Sequence, residues 1–310
     1  MLTRHFVNSK PIHTFFCLLA IALCSIVFTF YIDLQEFKFA NIAFLSFNLV
    51  IVFASVFLIE FVKYKNRITK RSSFTIITFS AILTAFPETL NNTNLLLSNF
   101  FVLLSLRRIL SLRTKTGVKT KILDSAIWVS LASLFYTWSL LFLCPIFISI
   151  AAFVVLDKKT LWIPFLGVTS VIIFLTSYNA LFFDTFWIND TYVFSTSLDI
   201  SSYLNSKQYI KLLILLLVIL WLLIYNIKIY QKLRIIYRPI LITIWSFIVV
   251  ALLMIAISDQ KNSGEIVFLA PVISYALGSY LDFSKHKTFK NIIFMFVLSL
   301  PVLGLLFYLL

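Results

Sequence analysis

Two carboxylates directly after the first apolar segment could carry out acid–base chemistry at a membrane surface. Asp33 and Glu36 occur in YIDLQEFKFAN, and Lys38 follows them. A carboxylate just outside a membrane helix can act as general base on an acceptor dissolved in water. An ammonium group can meet a lipid phosphate as a point charge. The alternative is a short solvated turn that binds nothing.

A third carboxylate, Glu88, lies in AFPETLNNTN after the third apolar segment. If Glu88 faces the same water-filled pocket as Asp33, the two acids would flank one sugar at a separation of roughly 10 Å or less. Asn91 and Asn92 would then supply neutral polar ligands for the sugar hydroxyls. The alternative is a helix start, because Pro87 suits the first helical position and an acid in the first turn complements the helix dipole.

A long loop around residues 184–209 combines aromatic and acidic side chains. In it, Asp184 and Asp190 flank Trp187. Such a set suits the binding of a carbohydrate or a lipid headgroup, and a loop of the same composition also suits the interfacial aromatic belt of a membrane protein. Both interpretations stay open. No Cys or His spacing typical of a metal site occurs, so the sequence predicts no metal and no cofactor.

The composition indicates what kind of fold must position these residues. The chain has 310 residues, is 61% hydrophobic and 12% charged, and contains 34 Phe but only five Gly. This profile is typical of a multi-span membrane protein and excludes an ordinary soluble domain. The formal charge of +14 does not indicate nucleic-acid binding, because the basic residues concentrate in alternate loops, as membrane orientation requires. The scarcity of Gly argues against a transporter built on broken helices.

Eleven apolar segments follow one another along the chain and predict an all-α, polytopic membrane helix bundle of about eleven transmembrane helices. We expect a single integral membrane domain over 1–310. The segments are roughly 12–32, 40–62, 73–86, 94–106, 123–138, 140–156, 161–183, 209–227, 239–257, 265–281 and 291–309.

The fifth and sixth segments decide the topology. A single span needs about 20 residues, so the apolar stretch 123–156 is predicted to be a hairpin of two helices with its turn at the polar cluster 136–139. Small residues Ser130, Ala132 and Ser133 should let the first of these helices pack closely. With this hairpin and a cytoplasmic N-terminus, most of the 26 Lys and Arg residues fall inside. The acids named above and the C-terminus then fall outside.

Two stretches, FPETLNNTNLLLSNFFVLLSLRRIL and IWVSLASLFYTWSLLFLCPIFISIAAFVVL, together resemble the membrane module of GT-C glycosyltransferases. The resemblance covers 1–210 and leaves 211–310 as additional C-terminal helices. It implies action on a lipid-linked sugar, such as a polyprenyl-phosphate-linked one, at the outer face of the membrane. On that similarity Asp33 or Glu36 takes the place of the first-loop acid, and Glu88 takes that of the second-loop acid.

Two departures from the GT-C pattern support an alternative function. The first outer loop is short, and no Arg falls outside to bind a diphosphate. The alternative is a non-catalytic membrane subunit that assembles or anchors a cell-envelope complex.

Three further stretches, MLTRHFVNSKP, ILDSAIWVSLASLFY and IVFLAPVISYALGSYLD, resemble a family of polytopic inner-membrane proteins of Bacteroidota without an assigned activity. That resemblance implies the bacterial inner membrane as the location. The expected partners are membrane lipids and other envelope membrane proteins, and no nucleic acid.

Overall fold

The structure is a computed structural model that describes residues 6–32, 34–36, 38–66, 68–153, 157–184, 196, 208–232, 235–258, 263–284 and 286–309. Within these ranges the chain is all-α, and its β-type pairing consists of one isolated antiparallel bridge between Thr196 and Ser258.

Eleven α-helices lie in the described ranges, and each overlaps one of the predicted apolar segments. They are α1 (Pro11–Val27), α2 (Phe39–Asn66), α3 (Phe74–Ala85), α4 (Thr93–Leu110), α5 (Val118–Phe135), α6 (Leu143–Phe153), α7 (Lys158–Phe183), α8 (Gln208–Lys232), α9 (Arg238–Ile257), α10 (Leu269–Phe283) and α11 (Lys287–Leu309).

By length and composition, eight helical stretches in the described part of the chain can cross a membrane, as expected of a multi-pass membrane protein. Three helices fall outside this set. Helix α3 and the stretch Thr137–Phe153, which contains α6, are apolar but shorter. Helix α5 carries two Lys and one Asp near its start. The eight stretches are Pro11–Ile32, Phe39–Asn66, Thr93–Thr114, Lys159–Phe183, Tyr209–Ile227, Ile235–Ile257, Gly264–Phe283 and Lys287–Gly304.

The chain forms two compact units, each assembled from separate stretches. Unit 1 comprises Met1–Leu96, Asp199–Leu233 and Lys261–Leu310, and unit 2 comprises Leu97–Leu198 and Arg234–Gln260. The boundary near residue 210, between a GT-C-like module and additional helices, stays a prediction.

Unit 1 is built around α3. Every residue of α3 is buried, and the helix packs against α1, α2, α10 and α11. Two glycines allow the last two of these helices to come close. A Cβ atom at Gly278 would lie 2.5 Å from Thr75 Oγ1, and one at Gly304 would lie 2.7 Å from the Ala85 backbone. Small residues permit such close helix crossings in membrane proteins.

Unit 2 contains the predicted hairpin. Helix α5 ends at Phe135, Tyr136 is extended, and a 3₁₀ turn over Thr137–Phe142 leads into α6. The prediction that 123–156 breaks into two helices is therefore confirmed. The small residues of α5 are buried as expected, namely Ser130, Ala132 and Ser133.

Neighbouring helices hold both halves of the hairpin in unit 2. Helix α5 packs most extensively against α7, where Gly167 lies beside Ala126, and α6 packs mainly against α9. The hydroxyl oxygens of Ser149 and Thr243 are 3.0 Å apart across that second contact. Both helices of the hairpin are thus packed inside unit 2 on at least one face.

Candidate functional site

Two connections and the first turn of α8 meet at one end of unit 1, which we call the polar end. Helix α1 continues through a π-helical turn (Phe28–Ile32) toward the start of α2. A 3₁₀ turn over Pro87–Leu90 joins α3 to α4, and the first turn of α8 reaches the end of α3. The chain reverses tightly before α2, and Leu34 adopts a left-handed conformation there, with φ of 52°.

A network of amide and hydroxyl groups fixes the polar end. Thr29 Oγ1, in the π-helical turn that continues α1, donates to Asn91 Oδ1 at 3.0 Å. The buried Asn48 of α2 donates through Nδ2 to the Leu90 carbonyl at 3.0 Å and accepts from Thr93 Oγ1 at 2.6 Å. The 86–93 connection is therefore held from both sides, by α1 through Asn91 and by α2 through Asn48.

A cavity of about 410 Å³ opens between the end of α1 and the start of α2. Among the described residues, its polar lining consists of one hydroxyl and three carboxamides. Such groups can both donate and accept hydrogen bonds, as sugar hydroxyls require. Of the residues predicted to bind substrate, Asn91 lies in this lining. The full lining is Thr29, Gln35, Ala40, Asn41, Phe44, Leu45 and Asn91.

The first-loop charges lie in solvent beside this cavity. Glu36 Oε2 and Lys38 Nζ form an ion pair at 2.5 Å, and both side chains are about 70% exposed. An exposed pair of this kind contributes little stability and remains accessible to a ligand. Asp33 lies outside the described residues, so its approach to Glu88 stays a prediction.

The position of Glu88 agrees with one of the two interpretations of its sequence context. It lies in the first turn of the 3₁₀ helix that Pro87 opens, which is the helix-start arrangement considered as the alternative to a catalytic role. Its carboxylate also interacts electrostatically with Lys211 of α8 and with the Cys24 thiol of α1. Glu88 therefore combines a local helix-start position with an electrostatic attraction to Lys211 of α8.

The remaining predicted binding residues do not form one described group. Asn92 accepts a hydrogen bond from the Leu95 amide at 3.2 Å, so it caps the start of α4. Asp184 is exposed at the end of α7 in unit 2, in a left-handed conformation with φ of 51°. Trp187 and Asp190 lie outside the described residues.

Lys211 is the site residue that sequence reasoning missed. Only 7% of it is exposed, its Nζ donates to the Ala85 carbonyl at 3.4 Å, and it lies 5.7 Å from the centre of the Phe86 ring. The only signal in the sequence was a single Lys at the start of the otherwise apolar YIKLLILLLVILWLLIY. The predicted topology leaves Lys211 among the few basic residues on the outer side and gives it no role, because its contact with α3 cannot be read from local pattern.

Lys211 also lines a second, apolar cavity in unit 1, which we call the chamber. It measures about 420 Å³ and lies between α3, α8, α10 and α11. Its walls include Ile82 of α3, Phe86 directly after α3, Trp221 of α8 and Leu277 of α10. Among the described residues of this lining, Lys211 is the charged one.

A charged cluster occupies the opposite end of unit 1. Lys63 is completely buried, lies 3.3 Å from Glu60 Oε1 and donates to the Ser72 carbonyl at 2.6 Å. Asp282 accepts from the Lys70 amide at 2.8 Å and from Ser72 Oγ at 3.0 Å. From the sequence we expect Glu60, inside the second apolar segment, to pair with Lys63 one turn later or to snorkel to the cytoplasmic edge, and the structure confirms the pair. Because these contacts join the ends of α2 and α10 to the connection before α3, we assign them a structural role.

Comparison with known proteins gives no match to any family model, to any curated protein or to any solved structure. Among the described residues, no group of three or more His, Cys, Asp or Glu side chains is placed to hold a metal ion. The fold and the polar end define the class of protein. Over its described residues, the chain is an all-α protein with eight helices able to cross a membrane and a polar cavity at one end of unit 1.

Proposed function

We propose that the chain is a multi-pass protein of the bacterial inner membrane that binds, or acts on, a lipid-linked sugar at the outer face, with a GT-C-like core. The observation that carries the proposal is the polar cavity that Asn91 and Thr29 line at the polar end. In this proposal α3, α5 and α6 also cross the membrane, which gives about eleven spans. The N-terminus is cytoplasmic and the C-terminus is outside.

The distribution of charge supports this orientation. Lys63 and Lys65 lie in the last turn of α2, and Arg107 and Arg108 lie in the last turn of α4. Basic residues at the membrane edge favour the cytoplasmic side. Helices α2 and α4 both run away from the polar end, so that end faces outside when their last turns face the cytoplasm.

The residues at the polar end have distinct roles in the proposal. Carboxamides of the cavity bind sugar hydroxyls, and a carboxylate of the first loop, Asp33 or Glu36, is the general base. Glu88 is the second acid, and Lys38 meets the lipid phosphate. On the GT-C resemblance, Asp184, Trp187 and Asp190 belong to a loop that also faces outside and binds substrate.

Binding of a polyprenyl-phosphate-linked sugar to the purified protein tests this function. We expect saturable binding of a radiolabelled lipid-linked sugar in detergent micelles, and weaker binding to Asn91→Ala. Asn179→Ala, which removes a carboxamide from α7 in unit 2, is the matched control and should bind as the unaltered protein does. Absence of binding by the unaltered, folded protein would overturn the proposal.

A non-catalytic envelope subunit is the second candidate, and one flank of unit 2 favours it. Helix α7 presents large exposed apolar side chains along its length, among them Trp162, Phe165, Phe174 and Phe182. Such a row suits either lipid or a partner membrane protein. Chemical crosslinking in native membranes distinguishes the two, because a partner gives a discrete crosslinked protein at α7, whereas lipid contact gives none.

A further inference from the structure

The polar cavity combines hydrogen-bonding groups with an apolar patch on the first two turns of α2. Asn41 and Leu45 are four positions apart, as are Ala40 and Phe44, so the four side chains are neighbours on one side of the helix. All four line the cavity. Leu45 is buried, whereas Ala40 and Phe44 are exposed. A ligand in the cavity therefore meets an amide and an apolar surface side by side.

Hydrogen bonds within the protein fix the orientation of two carboxamides in the lining. Asn91 accepts through Oδ1 from Thr29 at 3.0 Å, which leaves its Nδ2 amino group as a donor. Asn41 donates through Nδ2 to the Glu36 carbonyl at 2.9 Å, which leaves its Oδ1 atom as an acceptor. Among the described residues, neither of these two atoms has a hydrogen-bond partner. The cavity thus offers a ligand one oriented donor and one oriented acceptor.

The cavity carries no charge among its described lining residues. The charged side chains of the first loop, Glu36 and Lys38, pair with each other and lie in solvent. A charged group that entered the cavity would lose water without gaining an opposite charge, and such a transfer costs free energy. The lining therefore favours a neutral ligand group.

An acetamido group has the chemistry that this lining complements. Its carbonyl oxygen accepts a hydrogen bond and suits Asn91 Nδ2, and its N–H donates and suits Asn41 Oδ1. Its methyl group suits the apolar surface of Ala40 and Leu45. A sugar with hydroxyl groups alone could bond to the two amides, but it would leave the apolar surface without a partner.

We propose that the polar cavity recognises a neutral acetamido sugar, with the acetamido group between Asn91 and Asn41 and its methyl group against Ala40. This inference rests on the proposed function, because it names the sugar that the lipid carries. The volume of about 410 Å³ is near the lower end of the range of about 300–1,000 Å³ for small-molecule pockets. The cavity therefore suits one sugar unit rather than a long chain of sugars.

Competition between lipid-linked sugars tests the inference. Purified full-length protein in detergent binds radiolabelled polyprenyl-phosphate-linked N-acetylglucosamine. Unlabelled lipids with the same polyprenyl phosphate compete, and they carry N-acetylglucosamine, glucose, glucosamine or glucuronic acid. We expect the last three to bind at least roughly tenfold more weakly than the first, because each lacks the acetamido methyl and a hydrogen-bonding group of the amide.

Ala40→Leu separates recognition of the acetamido group from binding in general. Ala40 is exposed, so the fold tolerates a larger side chain there, and Leu fills the space that the methyl group needs. We expect the N-acetylglucosamine lipid to bind this variant as weakly as the glucose lipid, whose own affinity should not change. Ala43→Leu is the matched control at an exposed position of α2 outside the described lining. It should keep the full preference.

Asn41→Asp gives a test by gain of binding. It keeps an oxygen acceptor at this position and adds a negative charge, which attracts the ammonium group of glucosamine. We expect the variant to bind the glucosamine lipid more tightly than the unaltered protein does. Unchanged affinity for that lipid in folded Asn41→Asp would mean that position 41 does not contact the sugar.

The results distinguish this inference from the proposed function. Equal binding of all four lipids by the unaltered protein would overturn the inference and leave the proposed function intact, and so would an unchanged preference in Ala40→Leu. Tighter binding of glucosamine or glucuronic acid than of N-acetylglucosamine would show that charge selects the sugar, which also overturns it. If none of the four lipids binds, the proposed function fails and the inference fails with it.

Discussion

Gly304 of α11 lies so close to Ala85 of α3 that a Cβ atom at position 304 would be 2.7 Å from both the Cα atom and the carbonyl oxygen of Ala85. Backbone atoms cannot move aside as a flexible side chain can. We therefore predict that Gly304→Leu forces α11 away from α3 and destabilises the protein by about 1–3 kcal/mol, the usual cost of overpacking. The measurement is the apparent melting temperature in detergent, followed by fluorescence-detected size exclusion.

Val302→Leu is the control for this prediction, because Val302 lies on the same helix and is 59% exposed. It should melt with the unaltered protein. Equal melting temperatures for Gly304→Leu and Val302→Leu would mean that α3 and α11 do not cross at this point.

The buried amide of Asn48 gives a second prediction. Asn48→Leu leaves the Leu90 carbonyl without its donor and Thr93 Oγ1 without its acceptor. A buried polar group that loses its partner costs about 1–3 kcal/mol. We expect a lower melting temperature together with weaker binding of the lipid-linked sugar, because the 86–93 connection holds Asn91. Ser46→Ala, at an exposed position of the same helix, should leave the melting temperature unchanged, and a drop as large as that of Asn48→Leu would contradict the prediction.

Lys63 gives a third prediction, at the opposite end of unit 1. Lys63→Met removes the ammonium that contacts Glu60 and the Ser72 carbonyl. Removal of one member of a buried ionic arrangement typically costs about 3–5 kcal/mol. We expect a large loss of folded protein in a thermal-stability assay, whereas Lys65→Met, which changes an exposed residue two positions later, should have almost no effect. Similar stability of the two variants would show that Lys63 does not tie α2 to the connection before α3.

The topology gives a fourth prediction, measured by cysteine labelling in whole cells. Cys144 is exposed and is first changed to Ser. In that background Thr137→Cys, at the turn between α5 and α6, should react with a membrane-impermeant maleimide added outside. Lys119→Cys, at the start of α5, should react only after the membrane is opened. If Thr137→Cys is labelled only after opening, the hairpin does not reach the outside and the proposed orientation is wrong.

The helices of this protein could be predicted from its sequence, but their partners could not. Segment length and hydropathy indicated all eleven described helices, because an apolar run is excluded from water whether protein or lipid covers it. For the same reason, hydropathy does not reveal whether protein or lipid covers a given apolar run. Helix α3 is wholly buried and α7 is largely exposed, yet both read as apolar runs, since lipid tails are as apolar as a helix interface.

The candidate site was foreseen only where it depended on local sequence. Asn91 and the Glu60–Lys63 pair were named in advance because loop position and helical spacing determine them. Lys211 binds the carbonyl of Ala85, 126 positions earlier, and Asp282 binds Ser72, 210 positions earlier. Contacts of that separation arise from tertiary packing alone, and a single sequence carries no local pattern for them.

Helix α3 is short, and its length bears on how far below the membrane surface the polar end of unit 1 lies. A helix of 12 residues is about 18 Å long, whereas the hydrocarbon core of a bilayer is about 30 Å thick. If unit 1 crosses the membrane, α3 by itself is much shorter than the hydrocarbon core, which is a severe hydrophobic mismatch. The 28-residue α2 beside it spans the full thickness, so the surrounding lipid need not thin to match α3. The two ends of α3 then lie several ångströms below the headgroups, and the cavity at Asn91 reaches water beneath the plane of the membrane surface.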